Sequence, residues 1–204
     1  MPPRARITRE EIVEAAVSIV REKGLDGVTA REIAARKGTS TQPIFWYFGS
    51  MDEVKQAVRT EAEKLYGQSV LGGLKERVPF FGFGMAYIRF AKEQPELYKL
   101  LFFGTGGIGT TETMKRVDET VLPSLVKNYN VTEAQAELLY RDMWLVVHGL
   151  ATLIVTGNCP YSDAEIGKIL TGFSVAICKA IKEIPGYTEG EFDRDEIFGR
   201  LAKE

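Results

Sequence analysis

Five segments of helical periodicity in this chain each open on a serine or threonine followed three residues later by glutamate or glutamine. The pairs are Thr8 and Glu11, Thr29 and Glu32, Ser50 and Glu53, Thr132 and Gln135, and Ser162 and Glu165. At that spacing the hydroxyl accepts from the backbone N–H three residues on, while the longer side chain reaches back to the first N–H, so both ends satisfy orphan donors. Behind these starts apolar residues recur every three or four positions, and no sustained two-residue alternation marks a strand. The expected fold class is all-α.

The stripe Ile12, Ala16, Ile19 and Val20 defines a first helix that Gly24 stops. A second is expected over about Ala30 to Lys37, with Ile33 and Ala34 inward and Gly38 as its end. The third is short, about Thr41 to Tyr47, with Ser40 as cap and Pro43 in the first turn, where a missing N–H costs little. A fourth begins after Ser50 and runs through Val54, Val58 and Leu65 as a rod. Gly67, Gly72 and Gly73 mark the boundary between a head over 6–66 and a body over 67–204. In the body, helices are expected near 79–94, 96–103, 111–128, 132–157 and 162–183, and the polar stretch 185–204 can add one more. The glycine-rich GTGGIG at 104–109 reads as a loop. As a phosphate cradle it lacks both a preceding strand and a Lys-Ser/Thr ending.

Composition narrows the function. Hydrophobic residues at 45% and charged residues at 26% are ordinary for a folded globular chain. The net charge of -2 argues against a nucleic-acid binder until its distribution is considered: residues 1–60 hold 10 Lys and Arg against 8 Asp and Glu, so the acidic excess lies entirely beyond them. Arg4, Arg6 and Arg9, with no acid among them, form a basic arm suited to a phosphate backbone. The two cysteines, Cys159 and Cys178, make no disulfide framework and point to a reducing cytoplasm. No apolar stretch follows the early charges, as a secretory leader requires. The greasy run from Met143 to Val155 is interrupted by His148 and Thr152 and is shorter than the roughly 20 residues of a membrane span, so no membrane partner is expected. With a single histidine there is no nucleophile–base pair and no metal-ligand spacing; neither enzyme chemistry, nor a metal, nor a cofactor is expected.

The segment TAREIAARKGTSTQPIFWYF, residues 29–48, has the spacing of a helix-turn-helix. In its second helix Ile44 and Phe48 already supply inward anchors, which leaves Thr41, Gln42, Trp46 and Tyr47 as an outward face of hydrogen-bonding and planar groups. Such a face suits base edges and phosphates in a major groove. The bland alternative is a purely structural three-helix bundle.

From Ile7 to Val58 the chain resembles the head of the tetracycline-repressor (TetR) family. The likeness rests on Thr29-Arg31-Ile33-Ala34 in the second helix, Gly38-Ser40 in the turn, and Phe45-Trp46-Tyr47-Phe48 in an aromatic third helix. It implies a three-helix DNA-binding head joined by a linker helix to an effector-binding and dimerisation bundle. It further implies that Thr29 and Ser40 hold phosphate at helix N-termini, that Thr41, Gln42 and Pro43 face base edges, and that Tyr47 reaches a phosphate. Arg31 would reach the groove or the backbone, and Trp46 would stand on the exposed face. Where the family usually places a lysine this chain has Met51, so Lys55, one turn later, is the substitute.

Trp144 and His148-Gly149 resemble, over a shorter match, a subset of the family with Trp, His and Gly in the C-terminal domain. On a helical wheel Trp144, His148, Ala151 and Val155 form one stripe, and Met143, Val147, Leu150 and Ile154 lie beside it. An apolar circumference that wide implies a partner surface, with Ile166, Phe173 and Ile177 of the next helix as its second half. The expected interface is therefore Val147, Leu150, Ile154, Ile166, Phe173 and Ile177 in a homodimer. The expected effector is small and apolar or aromatic, bound beside Tyr87, Phe102, Phe103, Trp144 and His148. For His148 the alternative is a core residue whose ring nitrogen meets a backbone carbonyl. The function expected is a regulator, acting as a repressor, released by that effector from an inverted-repeat duplex. The alternative is a helical interaction or ligand-binding module whose head no longer binds DNA specifically.

Overall fold

The computed structural model describes residues 7–103 and 112–202. Arg4 and Arg6 of the basic arm and the GTGGIG segment lie outside them. Among the described residues ten α-helices occur and no strand: α1 (Arg9–Lys23), α2 (Ala30–Lys37), α3 (Ile44–Tyr47), α4 (Met51–Gly73), α5 (Pro79–Glu93), α6 (Pro95–Phe102), α7 (Glu112–Tyr129), α8 (Glu133–Val155), α9 (Asp163–Glu183) and α10 (Arg194–Leu201).

All five expected caps are in place: Thr8, Thr29, Ser50, Thr132 and Ser162 each accept from the backbone N–H three residues on. The boxes are reciprocal at Thr8, Thr132 and Ser162. At the other two the acid has a better offer. Glu32 takes the ammonium of Lys23 at 2.9 Å, and Glu53 accepts from the N–H of Gly49 at 2.9 Å.

The third helix differs from expectation. It starts at Ile44 with Pro43 as N-cap and no side-chain cap bond, while Thr41, Gln42 and Pro43 form tight turns in which their carbonyls accept from Ile44, Phe45 and Trp46. Proline lacks an N–H and disfavours α geometry at the residue before it, so the regular helix starts behind it and Ser40 caps nothing.

In the head, Ile12, Ile19, Val20, Ile33, Ile44, Val54 and Val58 are fully buried. Helix α4 then passes without a break through the boundary expected at 66/67. Gly67 is buried inside it, and the helix ends only at Gly73. The reason is packing: a Cβ on Gly73 would collide with the backbone of Gly82 in α5, and one on Gly82 with the carbonyl of Gly73. These glycines let two helix backbones touch, a service to tertiary contact rather than to chain reversal.

Helix α6 is gripped from both sides. Arg59 of α4 donates to the carbonyls of Leu100 and Leu101 at 3.1 and 3.4 Å and meets the buried Glu63 at 3.5 Å. Arg21 of α1 donates to Gln94 at the α5–α6 junction at 2.8 Å.

Over its 23 residues α8 is long and apolar enough to cross a bilayer, more so than the run from Met143 suggests. Here it packs on α5, α7 and α9. Val147, Leu150 and Ile166, expected at a partner surface, are buried inside the single chain. They pack close to α5, where a Cβ on Gly84 would sit at ordinary contact distance from Val147 (3.6 Å) and Leu170 (3.4 Å). The apolar groups left outward are Leu145 and Leu153 on α8 and Phe173 and Val175 on α9, with Ile154 and Ile177 half-buried.

Candidate nucleic-acid interface and body cavity

Helix α2 stops at Gly38, whose left-handed backbone (φ 64°, ψ 34°) sends its N–H back to the carbonyls of Ala34 and Ala35. That turn aims α3 away from α2. Arg36 fixes α2 on α1 through paired bonds to Glu22 at 2.9 and 2.6 Å and a third to Ser18 at 2.6 Å. This bond to Arg36 is the main cause that lowers the carboxyl of Glu22 below its usual range. The pair is exposed, so its value is positional more than energetic.

Ile44 and Phe48 anchor α3, and Arg9 lies 4.8 Å above the Phe48 ring. Everything between them faces out: Phe45 is 47% exposed, Trp46 65% and Tyr47 43%. Gln42, Ser40 and Arg31 are also exposed, and Thr41, Pro43 and Lys55 partly so. Among the described residues the side chains of Arg31, Ser40, Thr41, Gln42, Tyr47 and Lys55 make no hydrogen bond or ion pair within the protein. Thr29 accepts from Glu32 and keeps its hydroxyl proton to give. The expected face is thus assembled on one turn and one short helix. Phe45, which the sequence presents only as one aromatic among four, belongs to it by exposure.

The body has a different chemistry. A cavity of about 570 Å³ opens between α5, α7, α8 and α9, with walls of Phe80, Phe81, Phe83, Tyr87, Met143 and Trp144. Of the expected effector residues, Tyr87 and Trp144 line it. His148, Phe102 and Phe103 do not. Phe103 is 47% exposed, and Phe102 packs in an aromatic cluster, its ring 4.5 Å from Tyr98 and 5.3 Å from Tyr66.

His148 sits behind the cavity wall. Its ring stacks on Trp144 at 4.8 Å and 12°, and the hydroxyls of Tyr87 and Tyr98 lie 2.9 and 2.8 Å from its Nδ1. The partner is therefore a pair of phenols, where the sequence suggested a backbone carbonyl. Burial lowers the His148 pKa from its usual value and favours the neutral ring, whose tautomer sets whether Nδ1 donates to or accepts from the phenols. Burial likewise pushes the phenols of Tyr87 and Tyr140 far above their ordinary range. Tyr140, Tyr129 and the α9 wall were not legible as a site, because their apolar spacing is that of any core helix.

Residues 12–58 match the family described as bacterial regulatory proteins, tetR family, and residues 80–170 match the tetracyclin repressor-like C-terminal domain. The chain belongs to the tetR family. It is 30% identical over 57 residues to the class D tetracycline repressor protein of Escherichia coli, across 28% of this chain and 26% of that protein. The matched segment therefore spans about a quarter of the tetracycline repressors' own length. An uncharacterised helix-turn-helix transcriptional regulator of Mycobacterium tuberculosis is 23% identical over 79% of this chain and 76% of its own. In fold the chain is similar to a protein of unknown function from Rhodococcus sp. RHA1, with a TM-score of 0.69 and 18% identity over 89% of this chain and 99% of that one. It is also similar to a tetR-family regulator from Streptomyces coelicolor, with a TM-score of 0.61 and 18% identity over 96% of each.

Proposed function

We propose that this regulator is a cytoplasmic, homodimeric repressor that reads an inverted-repeat operator through α3 and leaves it when a small apolar or aromatic effector fills the body cavity. The observation that carries it is the outward face of Thr41, Gln42, Trp46 and Tyr47, whose polar groups find no partner among the described residues. A structural bundle has no use for such a face; base edges and phosphates do. This weighs against a head that no longer binds DNA.

In this reading Thr29, Ser40, Tyr47 and Lys55 contact phosphate, Thr41, Gln42 and Pro43 meet base edges, and Arg31 serves either. The dimer rests on the exposed Phe173, Leu145 and Leu153 with the half-buried Ile154 and Ile177 beside them. Two-fold symmetry places the α3 helices in major grooves about one helical turn apart.

The test is a binding profile across single-base variants of a duplex selected from genomic fragments. Gln42→Ala should cost on the order of 1 to 3 kcal/mol and relax preference at particular base pairs, while Tyr47→Phe should weaken all sequences alike. Discrimination lost on changing Tyr47 and kept on changing Gln42 would invert the assignment. A wild type without sequence preference would refute the function.

A further inference from the structure

The hydroxyls that line the cavity face polar neighbours inside the protein. Tyr87 bonds His148 and Thr171 donates to the carbonyl of Gly167 at 2.8 Å, while Tyr140 lies beside Asp118 and Tyr129 beside Ser174. A ligand's polar groups would therefore find little to bond along the aromatic walls, and burying them there would be unfavourable.

Charge enters at one end only, where the last turns of α9 bring Lys179, Lys182 and Glu183 to the rim. Lys182 is committed to the carbonyl of Tyr129 at 2.9 Å, whereas Lys179 makes no ion pair among the described residues. Two ammonium groups against one carboxylate leave that end of an otherwise neutral cavity with one net positive charge.

We infer that the cavity takes a monoanionic amphipath, an apolar or aromatic body carrying one carboxylate, with the carboxylate at Lys179. The inference rests on the cavity being the effector site and adds the ligand's charge and its orientation. The body lies against Phe80, Phe83 and Trp144, and the head points out along α9. A cavity of this volume is in the range that holds small organic ligands. The residues of α9 that line it, Thr171, Ser174, Val175 and Cys178, lie on a different flank from Phe173, so cavity and dimer surface need not compete for the helix.

Calorimetry on the full chain with two matched pairs, 4-phenylbutyrate against 4-phenylbutanamide and octanoate against octanamide, tests it. The acid of at least one pair should bind tenfold or more tightly than its amide. Lys179→Met should bring the two within about twofold by weakening the acid alone, and Lys179→Arg should keep the preference. Equal affinity of acid and amide overturns the anionic head and leaves the apolar effector site standing. A preference that survives Lys179→Met overturns the anchor. Binding of none of the four overturns both the inference and the effector site beneath it.

Discussion

The head and the body of this protein treat their polar groups in opposite ways. Around α3, hydrogen-bonding side chains stand in solvent with no partner among the described residues. Around the cavity, the hydroxyl of Tyr87 is bonded to a histidine and that of Thr171 to a carbonyl, and those of Tyr140 and Tyr129 face an aspartate and a serine. Water keeps unpaired groups cheap at a surface, and the same groups left unpaired in a dry cavity would each cost about 1 to 3 kcal/mol. The contrast sets a face whose polar groups are open to a partner against a cavity whose walls offer a partner few.

The strongest challenge to this comparison comes from the face that neither region uses. Placing a charge in the outward apolar surface by Phe173→Asp should convert the dimer to monomer and abolish tight operator binding. Sedimentation at micromolar concentration should show a wild-type dimer and a variant monomer, with effector binding kept. A wild-type monomer would remove the explanation given for Leu145, Leu153 and Phe173.

Glycine substitutions sharpen the contrast next. Gly82→Ala forces two helix backbones apart, and overpacking of this kind should cost roughly 1 to 3 kcal/mol. For a chain of this size that lowers the melting temperature by about 2 to 4 °C per kcal/mol. Gly38→Ala meets nothing within 4 Å and carries only the left-handed backbone penalty, about 1 to 2 kcal/mol. Its DNA affinity should fall more than its melting temperature suggests, because the turn aims α3. Equal stability losses with unchanged DNA binding would argue that the turn geometry is irrelevant to the face.

A cap comparison is smaller still. Thr132→Ala removes a reciprocal box at the start of α8 and should cost about 1 kcal/mol. Thr29→Ala removes a one-sided cap of similar value and, in addition, a proposed phosphate contact. Thermal melts should rank the two alike, and only Thr29→Ala should weaken DNA binding. If both variants bind DNA equally well, Thr29 is a cap alone.

The smallest effect is a pH dependence. The folded protein holds His148 below its usual pKa, so the unfolded chain binds more protons near and below about pH 6.5, and this contribution to stability is lost as pH falls through that value. Wild type should lose more melting temperature between pH 7.5 and 5.5 than His148→Gln. Parallel profiles would mean that the ring is not desolvated.

Local sequence determined a great deal here. The capping pairs at Thr8, Thr29, Ser50, Thr132 and Ser162 placed five helix starts, the stripe of Ile12, Ala16, Ile19 and Val20 placed the head core, and Gly38 with the aromatic run 45–48 placed the turn and the short helix whose outer side is exposed. Each depends on residues within a few positions of one another, where spacing alone fixes geometry. The tertiary structure decided the rest. Periodicity identifies α8 as apolar on two adjacent stripes and cannot say which meets its own chain; packing on α5, α7 and α9 decided that by burying Val147 and Leu150, and so left the outer surface to Leu145 and Leu153. The partners of His148 lie 61 and 50 residues away, and the cavity is the gap that α5, α7, α8 and α9 leave between them. Neither exists in any single segment, because a contact between distant elements is set by how whole helices pack and not by the pattern along either one.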